Sequence, residues 1–150
     1  MGRVLSRNFH YSEFACRCDP PCETKFKVDP HLIHALQGVR DAIGIPLRVS
    51  SGCRCYKRNK LTPGAAKRSF HVPRDGVLMA ADIMPLDPTM RNIRMALALY
   101  ALAAQHPLVG GLGLYTNRIH VDTRPVGILT GQDRARWIDK DVRLTDVYKA

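Results

Sequence analysis

Gly110-Gly111-Leu112-Gly113-Leu114-Tyr115-Thr116-Asn117-Arg118-Ile119-His120-Val121-Asp122 reads as two short strands turning at Thr116-Asn117. A tight hairpin demands antiparallel pairing, so this stretch places an antiparallel sheet in the second half of the chain. Just before it, Ile93, Ala96, Leu97, Tyr100, Ala101 and Ala104 give a wide apolar helical face. Asp87-Pro88 is expected to open that helix as cap and first position, and His106-Pro107 to end it. Further upstream, Val77 to Ile83 and Ile45 to Ser50 read as strands, with Ser51-Gly52 turning the chain. Leu32, Leu36, Val39 and Ile43 mark a second helix, capped by Asp29-Pro30 and stopped by Gly44. Residues 53–70 read as a basic loop around Pro63-Gly64. The expected fold is α+β: a small antiparallel sheet with two main helices packed on it. The 150 residues suit one domain, with a cysteine-bearing N-terminal segment at 1–29 and a charged C-terminal segment at 126–150.

Apolar residues make up 45% of the chain and charged residues 24%, which excludes wholesale disorder. No run approaches the roughly 18 apolar residues of a membrane-spanning helix. The first 18 residues carry Arg3, Arg7, His10, Glu13 and Arg17 and lack the apolar run of a secretory signal. Synthesis in the cytoplasm is therefore expected. The formal net charge of +10 points to a polyanionic partner: nucleic acid, anionic membrane or an anionic cell wall.

Three segments place polar side chains where strands are otherwise apolar: Ser69-Phe70-His71, Ala80-Ala81-Asp82-Ile83 and Ile119-His120-Val121-Asp122. Two imidazoles and one carboxylate are a zinc set of the catalytic kind, three protein ligands with one position open. Zinc lowers the pKa of a bound water to about 7 and polarises a scissile carbonyl.

The order of motifs is specific. Val49-Ser50-Ser51-Gly52-Cys53-Arg54 comes first, followed by Asn59, Ser69-x-His71 and Ala81-Asp82-Ile83, and then by Gly110-Gly111-Leu112-Gly113 and His120-Val121-Asp122. This resembles the zinc D-Ala-D-Ala carboxypeptidase family, family fifteen of the metallopeptidases, whose pattern is S-G-x-R … S-x-H-x-x-G-x-A-x-D … H. The family includes phage endolysins and small peptidoglycan-cutting enzymes. The opening Asn8-Phe9-x-x-x-Glu13-Phe14-x-Cys16-x-Cys18 is similar to its small phage-type members. The resemblance covers about residues 8–125. It implies a hedgehog/D-Ala-D-Ala peptidase type of fold with a zinc site in a cleft on the sheet. It also implies His71, Asp82 and His120 as zinc ligands, and Arg54, Ser69 and Asn59 as substrate-binding residues. A guanidinium is a permanent cation with a fork of donors, suited to stabilising an oxyanion, so Arg54 also becomes a catalytic candidate.

Two departures stand out. The family's first His and its Asp are about seven positions apart, whereas His71 and Asp82 are eleven apart. The loop Pro73-Arg74-Asp75-Gly76 can absorb the difference. Asp75 competes as a ligand, but Asp82 is followed by Ile83 as the family's pattern expects. Second, many members carry an acid three positions before the last His, where this chain has Asn117. Asp122 shares a strand face with His120, and two roles are open to it: holding the attacking water, or orienting His120 through its second ring nitrogen.

The five cysteines allow three readings. Cys16, Cys18, Cys22, Cys53 and Cys55 could hold a second, structural zinc, form disulfides after release, or remain ordinary reduced thiols. Lys57, Arg58, Lys60, Lys67 and Arg68 form either a solvated loop or an anion-seeking rim beside the site. The function expected is a zinc peptidase cutting stem or cross-link peptides of bacterial peptidoglycan, a phage or prophage product acting as a monomer. It would reach the wall after release or as a virion-associated protein, with anionic wall polymers as further partners. The alternatives are a catalytically inactive zinc-binding module of the same fold and a basic, zinc-stabilised nucleic-acid-binding protein. Only 7% of residues are aromatic and no basic stripe marks a recognition helix, which argues against nucleic acid.

Overall fold

The computed structural model describes residues 3–66, 68–127 and 133–147. Lys67 and part of the C-terminal segment (128–132 and 148–150) lie outside them. The elements run β1 (Val4–Ser6), β2 (Phe9–His10), β3 (Lys27–Val28), α1 (Pro30–Ile43), β4 (Leu47–Ser51), α2 (Tyr56–Leu61) and β5 (Val77–Leu78). Then come β6 (Ala80–Pro85), α3 (Ile93–Ala104), β7 (Gly111–Leu114), β8 (Ile119–Asp122), β9 (Ala135–Ile138) and α4 (Leu144–Val147).

The main sheet has the order β4-β6-β8-β7-β9. The pairs β4–β6, β6–β8 and β7–β8 are antiparallel. The β7–β8 hairpin stands where the sequence places it. The fold is α+β, and α1 and α3 supply its main helical layer. The 3.6 and 2.0 periodicities meet on one side of the sheet. Val49, Ile83, Leu112, Leu114, Ile119 and Val121 join Leu32, Leu36, Val39, Ala96, Leu99 and Ala103 in one buried apolar cluster. Alternation turns Asp82, His120 and Asp122 to the opposite face.

The ends of α1 follow from local chemistry. Asp29 accepts a hydrogen bond from the His31 backbone N–H at 3.0 Å, Pro30 fills the first position, and Gly44 closes the helix at φ 73°. A side chain at Gly44 would be strained in that left-handed conformation.

Several expectations are corrected. The basic stretch 53–70 is not all loop. Cys55 caps α2, its Sγ accepting from the Arg58 N–H at 3.3 Å. Asp87-Pro88 opens only a 3-10 turn at Pro88–Met90, and α3 starts later, capped by the Asn92 side chain. The strand expected at Val77 to Ile83 divides at Met79: β5 pairs with β3 in parallel, and β6 enters the main sheet. The charged C-terminal segment supplies β9, which pairs with β7 in parallel. The N-terminal segment is polar in composition, yet Phe9 and Phe14 are fully buried. Among the described residues no helix is long and apolar enough to cross a membrane.

Candidate metal centre

Register builds the site. Asp82 on β6 is the direct cross-strand partner of His120 on β8, and His120 in turn faces Gly113 on β7. Both polar side chains therefore rise from one sheet face within reach of each other. His71 comes from the loop before β5. Its Nδ1–H donates to the Gly52 carbonyl at 2.7 Å, and its backbone carbonyl accepts from the Arg54 N–H at 2.8 Å. The tip of β4 thus fixes the ring.

Three atoms converge. His71 Nε2 stands 3.2 Å from Asp82 Oδ1 and 3.1 Å from His120 Nδ1, and His120 Nδ1 stands 3.0 Å from Asp82 Oδ1. A tetrahedral zinc with bonds of 2.0–2.1 Å would set such atoms about 3.3 Å apart. The outward nitrogens are engaged: His71 Nδ1 on Gly52, and His120 Nε2 on Asp122 Oδ2 at 2.8 Å. With neutral rings the inward atoms are then three lone pairs facing one another, a donor set that fits a cation. His71, Asp82 and His120 are 1%, 9% and 7% exposed.

The surroundings favour positive charge at the centre, carried by a proton on His120 or, once that proton is displaced, by a metal ion. Burial alone would raise the Asp82 carboxyl, but the charges and hydrogen bonds of His71 and His120 outweigh it and hold the group well below the usual carboxylate range. Burial opposes a charge on His120, yet its hydrogen bonds to Asp122 and Asp82 raise its pKa to about 9. Burial would likewise raise Asp122, which Arg124 and His120 hold low instead.

Asp122 is wholly buried, and its oxygens are spent. Arg124 Nε donates to Oδ1 at 2.8 Å and Arg124 Nη2 to Oδ2 at 2.6 Å, while His120 takes Oδ2 from the other side.

A cleft of about 980 Å³ opens over the centre. Arg54, Ser69, His71, Asp82 and His120 line it, with Arg17, Arg58, Arg68, Arg118, Arg124 and Lys140 making its walls cationic. Of the expected basic rim, Arg58 and Arg68 reach this cleft, whereas Lys60 lies over the Tyr56 ring of α2 at 4.4 Å. Burial lowers the Arg54 pKa, and its Nε is a buried donor without a hydrogen-bond partner. Ser69 Oγ accepts from the His71 N–H at 3.2 Å. Asn59 is buried behind the cleft wall, donating to the Ala66 carbonyl at 2.9 Å and accepting from Arg54 Nη1 at 3.4 Å. Asp75 takes a turn conformation at φ 50° and is not in the converging group. Asn117 accepts from Arg118 Nη1 at 3.2 Å, and Arg118 Nε lies 3.8 Å from Asp82 Oδ2.

Several cleft residues were missed by the sequence reading. Trp137 on β9 sets its ring 5.0 Å from that of His120, and Arg124 lies 4.4 Å over Phe70. Asp139 and Asp141, just past β9, also line the cleft. Arg124 was within reach of sequence reasoning, because it is two residues beyond Asp122. Trp137 was not, because no local signal says that β9 adds to β7.

Four of the five cysteines also gather. The sulfurs of Cys16, Cys18, Cys22 and Cys55 lie within 4.8 Å of one another, while Cys53 is buried among core side chains.

A family model described as Peptidase M15 matches residues 7–122. No curated protein and no solved structure matches the chain.

Proposed function

The chain belongs to the Peptidase M15 family of zinc-dependent metallopeptidases, and from that we propose that it hydrolyses amide bonds in peptidoglycan stem or cross-link peptides, with D-Ala-containing bonds as the first substrates. The observation that carries this is the convergence of His71 Nε2, Asp82 Oδ1 and His120 Nδ1 at the floor of a cationic cleft. These three residues would hold the metal. A zinc ion there supplies Lewis acidity and an activated water near neutral pH.

The chain's own residues supply the rest. Gly52 and Asp122 each accept a ring proton and so keep both imidazoles presenting a lone pair. Arg54 lines the cleft and offers its guanidinium to a substrate carbonyl or carboxylate, where charge develops during amide cleavage. Asn59 steadies that guanidinium from behind. Asp122 has no free oxygen and does not line the cleft, so it acts by positioning His120. The role of holding a water falls to a carboxylate in the cleft, and besides Asp82 the described ones are Asp139 and Asp141. The cationic walls suit the carboxylates of stem peptides and anionic wall polymers.

The test is mass spectrometry of fragments released from purified peptidoglycan by the zinc-loaded protein, the chelated protein and His120→Ala. Peptide-bond products from the first alone support the reading, and full activity in His120→Ala overturns it. Steeply salt-dependent DNA binding without wall cleavage would instead favour a nucleic-acid module.

A further inference from the structure

We propose that Cys16, Cys18, Cys22 and Cys55 form a second, structural zinc site that ties the N-terminal segment to the strand tip carrying Arg54. The proposal rests on different residues from the peptidase centre and stands or falls apart from it.

The geometry is that of a four-sulfur cage. Cys16 Sγ and Cys55 Sγ each lie 3.4 Å from Cys18 Sγ, and all the sulfurs, Cys22 included, fall within 4.8 Å of one another. Zinc–sulfur bonds of about 2.3 Å in a tetrahedron would space the sulfurs about 3.8 Å apart, inside that range. A disulfide joins sulfurs in pairs and gives no reason for four to meet at one point. Two backbone donors already point at the sulfurs: Cys55 N–H to Cys16 Sγ at 3.4 Å and Arg58 N–H to Cys55 Sγ at 3.3 Å. Such donors stabilise thiolate charge, the form that binds zinc. The odd cysteine count also resolves, because Cys53 is 2% exposed and packs in the apolar core.

The position of the cluster gives it a purpose. Residues 15–26 form no helix or strand, so little secondary structure offsets the entropy of ordering them. Cys16, Cys18 and Cys22 lie in this segment, while Cys55 adjoins Arg54. The stretch from Gly52 to Cys55 is held on both sides. Cys53 N–H donates to the Phe14 carbonyl at 2.8 Å, and Arg54 N–H to the His71 carbonyl at 2.8 Å. A Cβ at Gly52 would come within 2.6 Å of the Phe14 backbone, so the two segments approach as closely as glycine allows. A metal joining them fixes Arg54 against the centre without touching substrate.

The test is metal counting on protein purified under reducing conditions with zinc present. Wild type is expected to carry two zinc per chain, and His71→Ala/His120→Ala to keep one. In that double variant a mercurial that blocks thiols should release the remaining zinc, and cobalt in its place should show sulfur-to-metal charge-transfer absorption. Cys18→Ser should lose that equivalent, whereas Cys53→Ala should keep it. The proposal is overturned if the double variant, folded by circular dichroism, binds no zinc. It is equally overturned if intact mass shows the cluster's cysteines lighter by about 2 Da per disulfide under the same conditions.

Discussion

Asp82 and His120 are opposed on neighbouring antiparallel strands, with carboxylate Oδ1 and imidazole Nδ1 3.0 Å apart. Their separation is set by the sheet. A slip of one residue between β6 and β8 would turn His120 toward the helices and Val121 into the cleft. The apolar residues that alternate with the site residues, Ile83, Ile119 and Val121, are all fully buried. Burial of the helix-facing side therefore holds Asp82 and His120 in register on the cleft-facing side.

A side chain at Gly113 or Gly111 should force its neighbour to move. A Cβ at Gly113 would collide with the Trp137 indole, and one at Gly111 with the Asp122 carboxylate. Gly113→Ala should shift the emission of Trp137, the chain's only tryptophan, while zinc still binds. Gly111→Ala should displace Asp122 and weaken zinc binding as well. Each should cost about 1–3 kcal/mol in stability, checked by denaturant unfolding.

Zinc removal should be visible without substrate. The Trp137 ring lies 5.0 Å from that of His120, so its emission should change on chelation and recover with zinc. Zinc at roughly 1,000 times its dissociation constant should stabilise the fold by about 4 kcal/mol. In His71→Ala/His120→Ala the fluorescence response to zinc should disappear.

The hairpin, the Asp29 cap and the Gly44 stop were legible because short-range rules govern them, whereas His71, Asp82 and His120, far apart in the chain, were singled out together by the order of motifs that resembles the family. Strand alternation fixes faces, and caps satisfy local N–H groups. β9 was not legible because nothing near Ala135–Ile138 records that its partner is β7, more than twenty residues earlier. The start of α3 was misplaced for a different reason. Asp87-Pro88 and Asn92 are both competent caps, and the 3-10 turn uses the first while the helix uses the second. The grip of Arg124 on both Asp122 carboxylate oxygens was not legible either, because no sequence pattern records which way the Arg124 side chain turns.

His106 should give the fold a pH dependence of its own. Burial, with the neighbouring His34, lowers its pKa, and its Nδ1 accepts from the Leu108 N–H at 3.2 Å. A histidine depressed in the folded state binds fewer protons there than in the unfolded chain, so stability falls as pH drops below about 6.5. The loss stops growing once pH passes the folded value. His106→Gln should flatten this part of the curve, measured as the difference in melting temperature from wild type between about pH 8 and pH 5.

Asp122→Asn separates the two roles open to that residue. The amide oxygen can still accept the His120 Nε2 proton, so the ring keeps its tautomer and the packing keeps its volume. The charge is lost, however, and Arg124 is left facing a neutral group that cannot engage it at two points. A positioning role then predicts a fall in zinc affinity, roughly 10–100-fold, with turnover recovering as zinc is raised to saturation. A water-holding role predicts the reverse: unchanged zinc affinity and a kcat that stays low at every zinc concentration, with the acid limb of the pH–rate profile altered. Because both Asp122 oxygens are bonded and the residue is sealed from the cleft, the first outcome is expected. Zinc competition titration beside kcat at saturating zinc decides between them, with Asp139→Asn and Asp141→Asn as the variants in which the second pattern should appear.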